Sequence, residues 1–156
     1  MNSVTKKVPV SRTEFIDYFE NIDLISNIFL LSQPEANKVW SYYIDPVIND
    51  FHKLNDNHWL YSNNINIGDW IDSYNNNNLQ TVSKILKKVT RWPDEKKVYF
   101  FLNNDTIFET NWETFLECWD DFLCIDDDGP VLMCEALLNI CIRFNPIGNM
   151  VYIEKK

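Results

Sequence analysis

The side chains with chemical potential in this 156-residue chain are mostly carboxylates, and they are concentrated in one stretch. Residues 98–142 hold ten acids and no lysine or arginine: Asp105, Glu109, Glu113, Glu117, Asp120, Asp121, Asp126, Asp127, Asp128 and Glu135. Glu113, Glu117 and Asp121 recur every four residues, a spacing that puts side chains on one face of a helix. Like charges so placed destabilise an isolated helix by about 0.2–0.5 kcal/mol per pair. Such a ridge would attract a basic partner and speed encounter by long-range steering. A solvated face on an acidic protein would look the same, and the sequence leaves both readings open. Asp126-Asp127-Asp128-Gly129 is not a calcium loop. An EF-hand alternates its acids, with glycine sixth and glutamate twelfth.

Other chemistries lack their residues. The three glycines, Gly68, Gly129 and Gly148, cannot build a GxGxxG turn or a P-loop. Neither GxSxG nor HExxH occurs. His52 and His58, the two histidines, stand six apart in a polar stretch and match no nucleophile or zinc spacing. Cys118, Cys124, Cys134 and Cys141 form no CxxC pair and lie in apolar segments, which favours buried free thiols over disulfides. No metal, cofactor or catalytic residue is expected. A carboxylate pair for glycoside hydrolysis remains compatible with the sequence. The six tryptophans, however, suit a core better than a sugar platform.

The chain has 14 basic and 23 acidic residues, a formal net charge of −9. That balance argues against nucleic acid and against an anionic membrane surface as partners. The imbalance is local: residues 1–97 hold 12 acids and 11 bases, and residues 143–156 are net +2. No signal-peptide run opens the sequence, and nowhere do about 18 apolar residues run together, so a cytoplasmic location is expected. With 46% apolar and 15% aromatic residues, one globular domain over residues 1–156 is expected, with residues 1–10 as a flexible arm.

The elements that must position these acids can be placed from pattern. Ser11-Arg12-Thr13-Glu14 reads as a capping box before a helix carrying Phe15, Ile16, Phe19 and Ile22. Ser32 and Pro34 start a second helix, with Val39, Trp40, Tyr43, Ile44 and Val47 as its stripe and a bend at Asp45-Pro46. Ile28–Leu31 is an apolar stretch of core size. A polar loop over 55–66 holds Trp59 and Tyr61. A short helix begins at Gly68-Asp69-Trp70, and another runs from Leu79 to Val89 with Lys84, Lys87 and Lys88 on a solvated face. Strands follow at Val98–Leu102 and Thr106–Phe108. Thr110-Asn111-Trp112-Glu113 then caps an amphipathic helix whose stripe is Trp112, Phe115, Leu116, Trp119, Phe122 and Leu123. Strands at 131–134, 139–144 and 150–153 close the chain around the hairpin loop Asn145–Asn149. Helices first and strands later imply an α+β fold, N-terminal helices packed with a C-terminal, mostly antiparallel sheet.

The segment from Trp112 through Phe115, Trp119, Phe122 and Leu123 to Asp127-Asp128-Gly129-Pro130 resembles the C-terminal signature of a small uncharacterised bacterial family, WxxFxxxWxxFL followed by DDGP. The resemblance covers about residues 90–150, and that family has no assigned reaction to carry over. In general character, small, acidic and asparagine-rich, the chain is also similar to the immunity proteins of contact-dependent inhibition and other toxin systems. That likeness implies a non-catalytic binding protein that occludes the basic active-site cleft of a cognate toxin, often a nuclease. Its acids would be Glu113, Glu117, Asp120, Asp121, Asp126, Asp127 and Asp128, with Trp59 or Tyr61 as an aromatic anchor. A non-catalytic adaptor and a carboxylate-based hydrolase are the competing readings. Oligomeric state is left open.

Overall fold

The near-continuous apolar run Val98–Leu102 has no polar side to turn toward water, so it requires cover on both faces. The computed structural model, which describes residues 6–61, 64–125, 131–134 and 140–154, supplies that cover. The run forms β4 (Lys97–Phe101) inside an eight-stranded sheet. The others are β1 (Lys7–Pro9), β2 (Phe29–Leu31), β3 (Ile65–Asp69), β5 (Ile107–Asn111), β6 (Val131–Cys134), β7 (Ile140–Phe144) and β8 (Asn149–Glu154). Their order is β1-β2-β5-β4-β6-β7-β8-β3, every neighbour antiparallel. Five α-helices of the described residues pack around it: α1 (Ile22–Ile25), α2 (Gln33–Tyr43), α3 (Trp70–Asn75), α4 (Leu79–Thr90) and α5 (Trp112–Leu123).

Successive side chains of a strand point to opposite faces, and β4 divides accordingly. Val98, Phe100 and Leu102 enter a core with Val82 and Leu86 of α4 and Trp112, Phe115, Trp119 and Phe122 of α5. Tyr99 and Phe101 enter a second core with Trp40 and Tyr43 of α2, Phe51 and Leu60.

The protein is therefore mixed α+β, but N-terminal helices against a C-terminal sheet is not the arrangement. Strands occur throughout: β1, β2 and β3 come from the first 69 residues and supply both edges of the sheet. The core-sized stretch Ile28–Leu31 contributes β2, whose register pairs Leu30 with Phe108. Lys7–Pro9, within the expected flexible arm, pairs with β2, and Val10 is fully buried.

Several local signals act differently from their pattern. Ser11 caps nothing. Thr13 instead accepts the Phe15 amide at 3.2 Å and starts a 3-10 turn over Glu14–Tyr18. α2 begins as expected, Ser32 accepting the Glu35 amide at 3.4 Å. It ends at Tyr43, where the Asp45 carboxylate takes the Val47 and Ile48 amides at 2.8 and 2.7 Å, leaving Val47 exposed. Asn111, rather than Thr110, caps α5, accepting the Thr114 amide at 2.8 Å. Thr110 is buried and donates to the Asn27 carbonyl at 2.7 Å. The last hairpin forms where expected. Gly148 there has φ +118°, and a Cβ would lie 2.6 Å from Asp69 Oδ1. The Gly148 carbonyl accepts the Trp70 amide at 2.8 Å, which ties the loop to α3.

Candidate partner-binding surface

α5 buries its aromatic stripe against the sheet and turns its carboxylates outward, but it is not one continuous helix. Cys118 has φ −134° and ψ 29°, outside the helical region. In the turn before it, side chains reach the carbonyls of this helix: the Cys118 thiol donates to the Thr114 carbonyl at 3.0 Å, and the Ser83 hydroxyl of α4 donates to the Leu116 carbonyl at 2.7 Å. Side chains inserted into a helical ladder are a recognised cause of such breaks. The four-residue ridge is divided there. Glu113 and Glu117 are exposed before the break, while Asp120 and Asp121 are half-buried after it.

Glu113 and Glu117 line a groove of about 490 Å³ between α4 and α5. Leu79, Leu116 and Trp119 give it an apolar lining, and Lys84 and Lys87 stand on the α4 wall. The acidic window is thus met in space by lysines from outside it. Glu109 shows the same thing in the sheet: it is 7% exposed and paired with Lys7 at 2.7 Å and Lys97 at 3.8 Å. The Asp105 carboxylate accepts from the Asn37 amide at 2.9 Å.

Asp120 and Asp121 have different neighbours. The Glu20 amide donates to Asp121 Oδ2 at 3.4 Å, which brings the N-terminal segment alongside α5. Burial pushes the Asp121 carboxyl up to about 6, with the charges of Asp120 and Glu20 adding. Asp120 is raised as well, mainly by burial. No lysine or arginine among the described residues pairs with either aspartate within 4 Å. Glu20 was not among the sequence candidates. Its signal lay in residues 13–37, which hold five acids (Glu14, Asp17, Glu20, Asp23, Glu35) and no lysine or arginine. Averaging over residues 1–97 conceals it.

The aromatic candidates are elsewhere. Trp59 and Tyr61 pack against the core on the opposite face of the sheet from α5. The Trp59 indole donates to the Ile44 carbonyl at 3.3 Å, and the Tyr61 hydroxyl to the Phe51 carbonyl at 3.2 Å. Arg143 stacks over the Tyr61 ring at 4.6 Å and donates to the Asn145 side chain and the Leu60 carbonyl. Asp126, Asp127 and Asp128 lie outside the described residues.

His58 sets Nε2 at 3.4 Å from Asp45 and accepts the Leu60 amide on Nδ1 at 3.2 Å, so both ring nitrogens are engaged within the fold. Cys118 and Cys141 are buried free thiols, and burial raises both well above the usual thiol range. Cys124 departs from the expected burial: it is the C-cap residue that follows α5, exposed and 3.8 Å from the Tyr74 hydroxyl. Among the described residues, no group of three or more His, Cys, Asp or Glu is placed to hold a metal, and no helix is long and apolar enough to cross a membrane.

These features describe a mixed α+β protein with an antiparallel sheet covered on both faces and a divided acidic surface on one broken helix. The chain belongs to the family described as protein of unknown function (DUF2947), whose model matches residues 17–150 and so takes in both halves of α5 and the Glu20 segment. No curated protein and no solved structure matches the chain.

Proposed function

We propose that this chain is a cytoplasmic binding protein that neutralises a cognate bacterial toxin, its carboxylates occupying the basic cleft where a nuclease would hold phosphates. The observation that carries the reading is a pair of half-buried aspartates, Asp120 and Asp121, beside the exposed Glu20, with no lysine or arginine of the described residues paired to the aspartates. Burying like charges side by side disfavours ionisation and destabilises the fold, so such groups concentrate where function requires them. A basic partner would supply the missing countercharge. The general likeness to immunity proteins supports the same reading.

The test is co-expression with the toxin domain encoded beside its gene. A stable complex is expected, with affinity falling at least about tenfold, roughly 1.4 kcal/mol, when Asp120 and Asp121 are both changed to lysine. A complex insensitive to that change removes the acidic mechanism, and no complex removes the toxin reading. A second reading attaches to the groove between α4 and α5, where Asp94, Glu113 and Glu117 surround Trp119 as a carboxylate-based hydrolase would require. Turnover of a glycoside panel that disappears in Glu113→Gln would favour it.

A further inference from the structure

Beside the Glu20–Asp121 pair lies a second groove, of about 680 Å³, built from the N-terminal segment. It is lined by Ile16 from the 3-10 turn, by Phe19 in the extended residue that ends that turn, and by Ile22 and Ile25 of α1. The base is firmly held. Phe19 is buried edge-on against Phe122 of α5 at 4.9 Å and Phe108 of β5 at 6.3 Å. The lip is open: Ile22 is 81% exposed, and Tyr18 nearby is 42% exposed. The charged residues lining the groove, Asp17 and Glu20, are both acids. An apolar groove with an exposed isoleucine and an acidic rim has the composition of an interface centre, and its rim selects for positive charge.

We propose that this groove is the centre of the partner interface and receives a basic segment of the partner protein. Apolar side chains of that segment enter between Ile16, Ile22 and Ile25, and its lysines or arginines pair with Asp17, Glu20 and Asp121. The inference rests on the binding-protein reading and moves the main source of affinity from the carboxylates to the isoleucines. Buried apolar anchors hold a complex together, whereas rim charges mainly set encounter rate and choice of partner. A second copy of this chain is a poorer occupant, because it would bring the same acidic rim against itself.

Two fluorescent peptides of equal length and charge test this on the full chain by anisotropy, one alternating lysine with leucine and the other lysine with serine. The lysine–leucine peptide is expected to bind about tenfold more tightly. Ile22→Ser, at a solvent-facing position, should abolish that preference and leave the weak lysine–serine binding unchanged. Glu20→Lys should weaken both peptides, while Glu154→Lys, exposed on β8, leaves the lysine–leucine affinity within about twofold. Equal binding of the two peptides, or an Ile22→Ser variant that keeps the preference, overturns the proposal. A dimer in sedimentation that Ile22→Ser converts to monomer also overturns it, since a second copy then fills the groove. Failure here is distinguishable from failure of the toxin reading. A toxin complex that survives Ile22→Ser refutes the groove alone, and an intact peptide preference without any toxin complex refutes the toxin alone.

Discussion

Glu113 and Glu117, before the break at Cys118, look across a groove toward Lys84 and Lys87; Asp120 and Asp121, after it, sit beside Glu20 with no lysine or arginine of the described residues paired to them. The two halves of α5 carry the same kind of side chain at the same density. Their surroundings differ because α4 covers one half and the N-terminal segment approaches the other. The ordinary helical arrangement would have put Glu113, Glu117 and Asp121 on one ridge. The break and the neighbouring segments instead produce a partly balanced groove and an unbalanced acidic patch. Potential at a protein surface thus depends on which segments the topology brings together, not on how many acids a window contains.

The sharpest way to break this contrast is to release the second half of α5 from the core. Phe122 is fully buried and its ring meets those of Phe19, Phe100, Phe108 and Phe115. Phe122→Ala should cost about 3–5 kcal/mol in urea unfolding, with the Glu20 segment losing hydrogen-exchange protection first. The first half depends on a polar tie instead. Ser83→Ala removes the hydroxyl donated to the Leu116 carbonyl and should cost about 1 kcal/mol by the same measurement.

A smaller effect, of opposite sign, distinguishes the electrostatics. The folded Asp121 value of about 6 lies above the ordinary aspartate value near 3.9, so the native state binds that proton more tightly than the unfolded chain. Stability from this group is fully present below about pH 4, where both states are protonated, and is lost as pH rises through about 6 because the folded state then holds a disfavoured charge. Asp121→Asn keeps an acceptor for the Glu20 amide without the charge. Because water reaches about half of the carboxylate and screens it, the Tm gain should be on the order of 1 °C at pH 7.5, measured by calorimetry. No gain should remain near pH 4. The smallest change belongs to the balanced half: Glu117→Gln should shift unfolding free energy by less than about 0.5 kcal/mol, as exposed substitutions do. A Glu117→Gln effect as large as that of Asp121→Asn would erase the distinction between the halves.

Much of the architecture was legible where one local force dominated. α4 and α5 follow from helical periodicity, the Ser32 cap from its side-chain oxygen, and β4 and the last hairpin from apolar runs around turn residues. The misreadings arose where two local solutions compete. Thr13 took the cap offered at Ser11, Asn111 the cap offered at Thr110, and the Asp45 carboxylate closed α2 before Val47 could join its stripe. Of the proposed interface, Asp120 and Asp121 were visible as part of an acidic helix. Glu20 and the isoleucine groove were not: Ile16, Phe19 and Ile22 read as the stripe of one helix where the chain forms a 3-10 turn and the short α1, and the neighbourhood of Glu20 spans 101 positions of chain.

The sequence by itself determined the mixed α+β class, the aromatic core and the concentration of acid around α5, since periodicity and side-chain polarity are local properties. Tertiary structure alone decided that strands from the first 69 residues form both edges of the sheet, because pairing partners are chosen by register and burial across long stretches of chain. It also decided that Lys84 and Lys87 face one pair of acids while Glu20 joins the other. Coulomb interactions follow distance in space, which the spacing of residues along a chain does not specify.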